Sequence, residues 1–216
     1  MELNKAQKQA AEHDKGPLLI IAGAGTGKTR VITSRIIELF NNKLAGSNEI
    51  LALTFTEKAA NEMVSRIDES MPLGYTDFTI KTFHAFSEQI LREYGMEIGL
   101  DPGFKLLDET SQWLFFKKNL YDFELDYYRP LGNPNKFIYD LLNHFSKLKD
   151  ELITPEKYLE YAEKIEEEEE KKKMAEVAKT YKKYQELMVK NNYMDFGDLT
   201  YYAIQLLNKR KSILKK

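Results

Sequence analysis

The residue types best suited to chemistry stand together between residues 22 and 30. Three glycines, Gly23, Gly25 and Gly27, alternate with small residues and lead into Lys28 and Thr29. Glycines let a backbone curl until its N–H groups face an anion. A lysine at this position binds the β- and γ-phosphates, and the hydroxyl that follows binds Mg²⁺. The pattern predicts a phosphate-binding loop for a nucleoside triphosphate.

The elements around the loop must hold it in place. The apolar run Leu18–Ala22 predicts a strand before the loop, and the apolar spacing of Lys28–Phe40 predicts a helix after it. Two more apolar runs, 50–55 and 78–83, precede helical patterns at 57–69 and 84–94. This alternation predicts an α/β fold with a parallel sheet, in which the loops after the three strands open at one edge.

The second half of the chain has a different character. From Asp108 onward the sequence predicts helices and breakers only, with caps at Asp108, at Thr154 before Pro155, and at Asp195. The charged run 166–173 is typical of a solvated helix face. We therefore expect the α/β part to be followed by an all-helical insertion.

Composition excludes several classes of protein. The chain has 216 residues, a net charge of −2 and no cysteine, so disulfide frameworks and thiolate metal sites are excluded. Its three histidines are far apart in sequence and lack the spacing of metal ligands. The first residues lack the apolar core of a signal peptide, and every apolar run is too short for a membrane span. A globular, soluble protein is expected.

Two further clusters follow the second and third predicted strands. The first is Thr54-Phe55-Thr56 with Lys58, and the second is Thr82-Phe83-His84. Each alone also fits an ordinary strand end, because strand phenylalanines usually pack inward. Together on the edge that carries a phosphate loop, they predict a surface for single-stranded nucleic acid, whose bases stack on aromatic rings.

These motifs resemble those of UvrD/Rep-type superfamily 1 DNA helicases, in order and along essentially the whole chain. Leu3-Asn4 with Gln7 and Ala10 is similar to the adenine-recognising Q motif, and residues 22–30 are similar to motif I. Residues 54–63 are similar to motif Ia, and residues 82–84 to motif Ib. Residues 194–199, Met-Asp-Phe-Gly-Asp-Leu, resemble the segment that closes the helical 1B insertion.

The resemblance implies a P-loop NTPase fold with a RecA-like sheet, and three segments: domain 1A in residues 1–95, helical subdomain 1B in 96–194, and a returning helix in 195–216. It implies ATP and Mg²⁺ as cofactors, with Lys28 and Thr29 in catalytic roles and Thr29 on the metal. The implied nucleotide contacts are Gln7, Ala22, Gly23, Ala24, Gly25, Thr26, Gly27, Lys28, Thr29 and Arg30. The implied DNA contacts are Thr54, Phe55, Thr56, Lys58, Thr82, Phe83 and His84.

For the parent protein the resemblance implies a cytoplasmic, ATP-dependent helicase that moves 3′ to 5′ on single-stranded DNA and acts at DNA junctions. The sequence departs from the family pattern in two ways. It stops at residue 216, before the strand that carries the Asp-Glu pair of Walker B and before a second motor domain, and Glu57 stands where asparagine is frequent. We therefore expect a fragment that binds ATP weakly and hydrolyses little or none.

Two other functions fit a phosphate loop followed by helices. A small P-loop kinase would carry an arginine-rich lid, and only Arg129 and Arg210 follow Arg92. A non-enzymatic interaction module would use the helical region, with the α/β part as a scaffold. Phosphorylation of a small molecule would indicate the first, and partner binding that survives Lys28→Ala would indicate the second.

Overall fold

Two units make up the chain, Met1–Phe86 and Ser87–Lys216. The computed structural model describes residues 3–13, 15–71 and 78–214. Within them the helices are α1 Lys5–Ala11, α2 Lys28–Asn41, α3 Glu57–Ser70, α4 Phe83–Tyr94, α5 Glu109–Lys118, α6 Ile138–Asp150, α7 Pro155–Glu163, α8 Glu168–Lys190 and α9 Phe196–Lys209. The strands are β1 Leu51–Thr54, β2 Thr79–Thr82, β3 Lys105–Leu106 and β4 Tyr193–Met194.

In the first unit, β1 and β2 form a parallel pair with the register Leu51↔Thr79 to Thr54↔Thr82. Helix α3 lies between them in sequence, as a parallel connection requires. One apolar cluster lies beneath this pair and is formed by buried side chains of α2, α3 and β1 and their flanks: Ile36, Ile50, Ala52, Met63, Ile67 and Met71. The predictions of two parallel strands and the helices that follow them are confirmed.

The strand predicted at Leu18–Ala22 is wrong. The segment has no regular secondary structure, and the side chains of Leu19 and Ile21 are 82% and 89% exposed. A continuous apolar run is typical of a parallel strand that is covered on both faces. Among the described residues no strand pairs with this segment, so it lacks the hydrogen-bond ladder that would make it a strand.

The second unit is built around a large aromatic core between α5, α6, α7 and α8. Phe116, Phe145, Tyr181 and Tyr184 are fully buried there, and the rings of Phe145 and Tyr181 stack at 5.0 Å. A loop beside this core is fixed by Glu176, whose carboxylate accepts three successive backbone N–H groups, those of residues 126, 127 and 128, at 2.9, 3.3 and 3.0 Å.

The predicted helix caps of this unit are confirmed. The side chains of Asp108, Thr154 and Asp195 accept hydrogen bonds from the backbone of the first turns of α5, α7 and α9. The expectation of helices only is wrong in one detail, because β3 and β4 form a two-residue parallel pair. Such a short pair shows no periodicity in the sequence. Every helix in the described ranges is too short or too polar to cross a bilayer.

Candidate functional site

The glycine-rich loop adopts the backbone conformation that its residue types predict. Gly25 and Gly27 have φ values of 74° and 88°, in the left-handed region that glycine enters without a steric cost. Helix α2 begins at Lys28, directly after Gly27. Its first turn has no acidic residue and no side-chain cap, so its N-terminal N–H groups and dipole remain available to an anion.

Side chains of the loop hold it in this shape. The Lys28 ammonium donates hydrogen bonds to the carbonyl oxygens of Ala22 and Gly23, at 2.7 and 2.6 Å. The Thr26 hydroxyl donates to the same Gly23 carbonyl at 2.8 Å. The lysine therefore lies across the loop. A bound phosphate would take the place of these two carbonyl oxygens as the partner of the ammonium.

Gln7 is brought to the loop from α1. Its Nε2 donates to the Thr26 carbonyl at 3.1 Å, and its Oε1 accepts the backbone N–H of Asn4 at 2.9 Å. The Asn4 side chain in turn accepts the Gln7 N–H, so the two residues form a reciprocal cap at the start of α1. The structure thus places a predicted base-binding residue against the predicted phosphate loop.

An open cleft of about 460 Å³ lies between α2 and the C-terminal half of α3. It is lined by Leu3, Arg30 and Arg66, among others. Arg66 forms an ion pair with Glu62 one turn earlier on α3. Sequence reasoning identified Arg30 but missed Arg66, which belongs to no motif and carries no local signal of its position.

The second and third clusters are brought together at one edge of the sheet. Thr54 and Thr82 are register partners at the ends of β1 and β2, so the residues after them leave the sheet side by side. The rings of Phe55 and Phe83 lie 5.3 Å apart, with exposures of 89% and 41%. These phenylalanines therefore do not pack into the core, as phenylalanines at an ordinary strand end usually do.

The threonines of this edge have structural partners. Thr56 caps α3 by accepting the Ala59 N–H at 3.1 Å. Thr82 is only 6% exposed; its hydroxyl accepts the Ala85 N–H at 3.1 Å and donates to Glu57 Oε1 at 3.0 Å. Lys58 and His84 are exposed beside them. We also expected the loop after residue 22 to open at this same edge. That expectation was based on a strand at 18–22, which the structure does not show, and it stays a prediction.

The second unit contains a buried charge cluster that sequence reasoning missed. The Lys149 ammonium lies 2.6 Å from Asp195 Oδ2 and 2.8 Å from Asp198 Oδ1, and its side chain has no exposed surface. It joins α6 to the first turn of α9. The only sequence signal is its position four residues after Phe145, on the apolar face of α6.

Burial and mutual charge shift the pKa values of this cluster. Burial, followed by the charge of Asp195, raises the pKa of Asp198 from 3.8 to about 7. Burial acts to lower the pKa of Lys149, but the charges of Asp195 and Asp198 outweigh it and raise that pKa well above 10.5. The lysine is therefore held as an ammonium.

The sequence is similar to known DNA helicases. The sequence profile of the UvrD/REP helicase N-terminal domain matches residues 3–216. The ATP-dependent DNA helicase PcrA of Bacillus subtilis is 36% identical over 214 residues, which are 99% of this chain and 27% of that protein.

Two rickettsial proteins give the same result. The DNA helicase II of Rickettsia typhi is 36% identical over 218 residues, and a probable DNA helicase II homolog of Rickettsia felis is 35% identical over 217 residues. Each alignment covers 99% of this chain and 31% of the relative. The chain thus spans less than a third of the length of these relatives.

Proposed function

Because the chain belongs to the UvrD/REP helicase N-terminal domain family, we propose that it is the nucleotide- and DNA-binding front part of an ATP-dependent 3′–5′ DNA helicase, with the RecA-like fold of P-loop NTPases. The observation that carries the proposal is the curled loop at residues 22–27, with Lys28 across it and Gln7 against it. Family membership favours this function over a small-molecule kinase or an interaction module.

The nucleotide is assigned to the loop and its neighbours. The backbone N–H groups of residues 23–29 and the Lys28 ammonium hold the phosphates, which replace the carbonyl partners of that lysine. Gln7 holds the base, and Arg30, which lines the cleft, lies near the nucleotide. Thr29, half-buried at the start of α2, provides the hydroxyl for Mg²⁺. The metal neutralises charge on the phosphate oxygens when it is bound.

Single-stranded DNA is assigned to the edge formed by the ends of β1 and β2. The contacting rings of Phe55 and Phe83 offer a stacking platform, which contributes about 1–3 kcal/mol per base and needs no sequence readout. Lys58 and His84 are exposed at the same edge, and the Lys58 ammonium supplies positive charge for the DNA backbone. In the parent protein, which we place in the cytoplasm, DNA junctions are the substrate.

The two assignments can be tested against each other in the 216-residue chain. Titration with Mg²⁺ and a fluorescent ATP analogue measures the loop, and anisotropy of a labelled oligo-dT measures the platform. We expect Lys28→Ala to abolish nucleotide binding and leave oligo-dT binding intact. We expect Phe55→Ala to lower affinity for oligo-dT at least about fivefold and leave nucleotide binding intact, given the stacking energy of about 1–3 kcal/mol per base.

Lys28 both clamps the loop and faces the phosphates, so Lys28→Ala needs a matched control. Thr26→Val removes one clamp, the bond to the Gly23 carbonyl, and keeps the ammonium. It should weaken nucleotide binding by only about fivefold, the contribution of one neutral hydrogen bond. Equal losses in the two variants would mean that the loop shape, rather than the charge, carries the site. No nucleotide binding by the unaltered chain would refute the proposal for the loop.

A further inference from the structure

A carboxylate stands at the edge to which DNA is assigned. Glu57 is the first residue of α3, directly after Thr56, and its Oε1 accepts a hydrogen bond from the Thr82 hydroxyl at 3.0 Å. The same Thr82 oxygen accepts the N–H of Ala85 in the first turn of α4 at 3.1 Å. Glu57 therefore joins the start of α3 to the start of α4.

This contact uses one of the hydroxyl donors that the edge could offer to a phosphate. A hydroxyl has one hydrogen, and that of Thr82 is directed to Glu57. While the bond persists, Thr82 can accept but cannot donate, and its 6% exposure leaves little of the side chain on the surface. The positive ends of two helix dipoles meet at this edge, and Glu57 supplies the negative charge that both favour.

We propose that Glu57 is a determinant of DNA affinity, an internal carboxylate that competes with a nucleic-acid phosphate for Thr82 and for the adjoining helix ends. The proposal rests on the assignment of single-stranded DNA to the Phe55–Phe83 platform. The stacking rings and the carboxylate then act in opposite senses, since the rings retain the bases and the carboxylate repels the backbone. Affinity for the strand is therefore lower than the rings alone would give.

The competing explanation is that Glu57 is structural only. An acid in the first turn stabilises a helix, and the bond to Thr82 braces two helix ends. In that role Glu57 contributes to the stability of the fold and has no effect on DNA affinity. Glu57→Gln separates the two explanations because the amide oxygen still accepts the Thr82 hydrogen bond while the charge is lost.

The test is anisotropy of fluorescein-labelled oligo-dT with the 216-residue chain at low and at high salt. We expect Glu57→Gln to tighten binding about fivefold at low salt, the factor for one unit charge about 4 Å from a phosphate in water. The gain should shrink at high salt, where the charge is screened. Glu57→Asn should tighten binding as well, and nucleotide affinity should not change in either variant.

The matched control is Glu69→Gln, an exposed acid at the opposite end of α3. It has the same loss of charge and should leave oligo-dT affinity unchanged. If Glu57→Gln also leaves affinity unchanged while Phe55→Ala weakens it, the DNA platform stands and the inference about Glu57 is overturned. If Glu69→Gln tightens binding as much as Glu57→Gln, the effect is one of net charge and the inference is again overturned.

The remaining outcomes also decide the question. If neither the unaltered chain nor any variant binds oligo-dT, the DNA assignment and the inference both fail. If circular dichroism shows that Glu57→Gln does not fold, Glu57→Asn replaces it, and loss of folding in both variants assigns Glu57 to structure alone. Tighter binding by a folded variant, diminished by salt, supports the inference.

Discussion

Removal of the Lys149 ammonium should strongly destabilise the second unit. The ammonium lies between Asp195 and Asp198 and is fully buried. Lys149→Met keeps most of the volume and the apolar stem but leaves two carboxylates in the interior without a counter-ion. Gly197 packs against the lysine stem, where a Cβ would lie 3.1 Å from Lys149 Cδ, so relaxation of the backbone around the carboxylates is restricted.

The expected magnitude follows from the energetics of buried ion pairs. Removal of one partner from such a pair costs about 3–5 kcal/mol, because the remaining charge is neither paired nor hydrated. Asp198 can reduce this cost by protonation, since its pKa is already raised to about 7. We therefore expect a loss of about 3 kcal/mol near neutral pH, a factor of over about a hundred in the unfolding equilibrium.

Urea unfolding followed by tryptophan fluorescence measures this change in the correct unit. Trp113 is the only tryptophan of the chain and lies in α5 of the second unit. Lys147→Met is the matched control, because Lys147 is exposed and lies on the same helix, and it should change stability by less than about 0.5 kcal/mol. A Lys149→Met protein within about 1 kcal/mol of the unaltered one would refute the argument that the ammonium is needed to balance the two acids.

Three more predictions concern Asp198, Glu176 and Gly27. The folded-state pKa of Asp198 is about 7, above its ordinary value of 3.8, so the contribution of this group to stability is complete below pH 3.8 and is lost as the pH rises through about 7. Urea unfolding across this range should show the loss, and the loss should be absent in Asp198→Asn. Glu176→Ala leaves three backbone N–H groups without their acceptor and should lower the free energy of unfolding by about 2 kcal/mol, whereas Glu186→Ala, an exposed position of the same helix, should change it little. Gly27→Ala places a Cβ on a backbone with φ of 88° and 3.2 Å from the Gln7 side-chain nitrogen. It should weaken nucleotide binding at least about fivefold, because a left-handed residue other than glycine costs about 1–2 kcal/mol. Gly16→Ala, with φ of 83° and no atom within 4 Å, carries the same backbone strain away from the loop and should leave nucleotide affinity unchanged.

Features that depend on neighbouring residues in the sequence were predictable. Asp108, Thr154 and Asp195 were identified as caps because a short polar side chain before an apolar period satisfies the N–H groups of the next turn. The left-handed glycines of the loop follow from the same kind of local requirement. Parallel pairing of β1 with β2 was predictable as well, since an intervening helix leaves few other connections.

Features that depend on distant partners were not predictable from the pattern. Lys149 meets two acids that lie 46 and 49 positions further along the chain, and its own segment reads as an amphipathic helix with one lysine on the apolar face. The exposure of Phe55 was also beyond local reasoning, because strand phenylalanines usually pack inward. The roles of the site residues and the three predicted domains stay predictions.

The glycine-rich loop and the segment before it show these two kinds of signal side by side. The apolar side chains of this segment are typical of a strand that is buried between neighbouring strands of a sheet. The segment cannot form such a strand without those neighbours. The loop that follows has a requirement of another kind, because its glycines and the bonds from Lys28 and Thr26 lie within residues 22–28. The loop therefore keeps its curled form although the strand before it is absent. The sequence predicts the relative positions of residues within one motif, because their contacts are local. Whether the segment beside the motif forms a strand depends on pairing partners elsewhere in the chain.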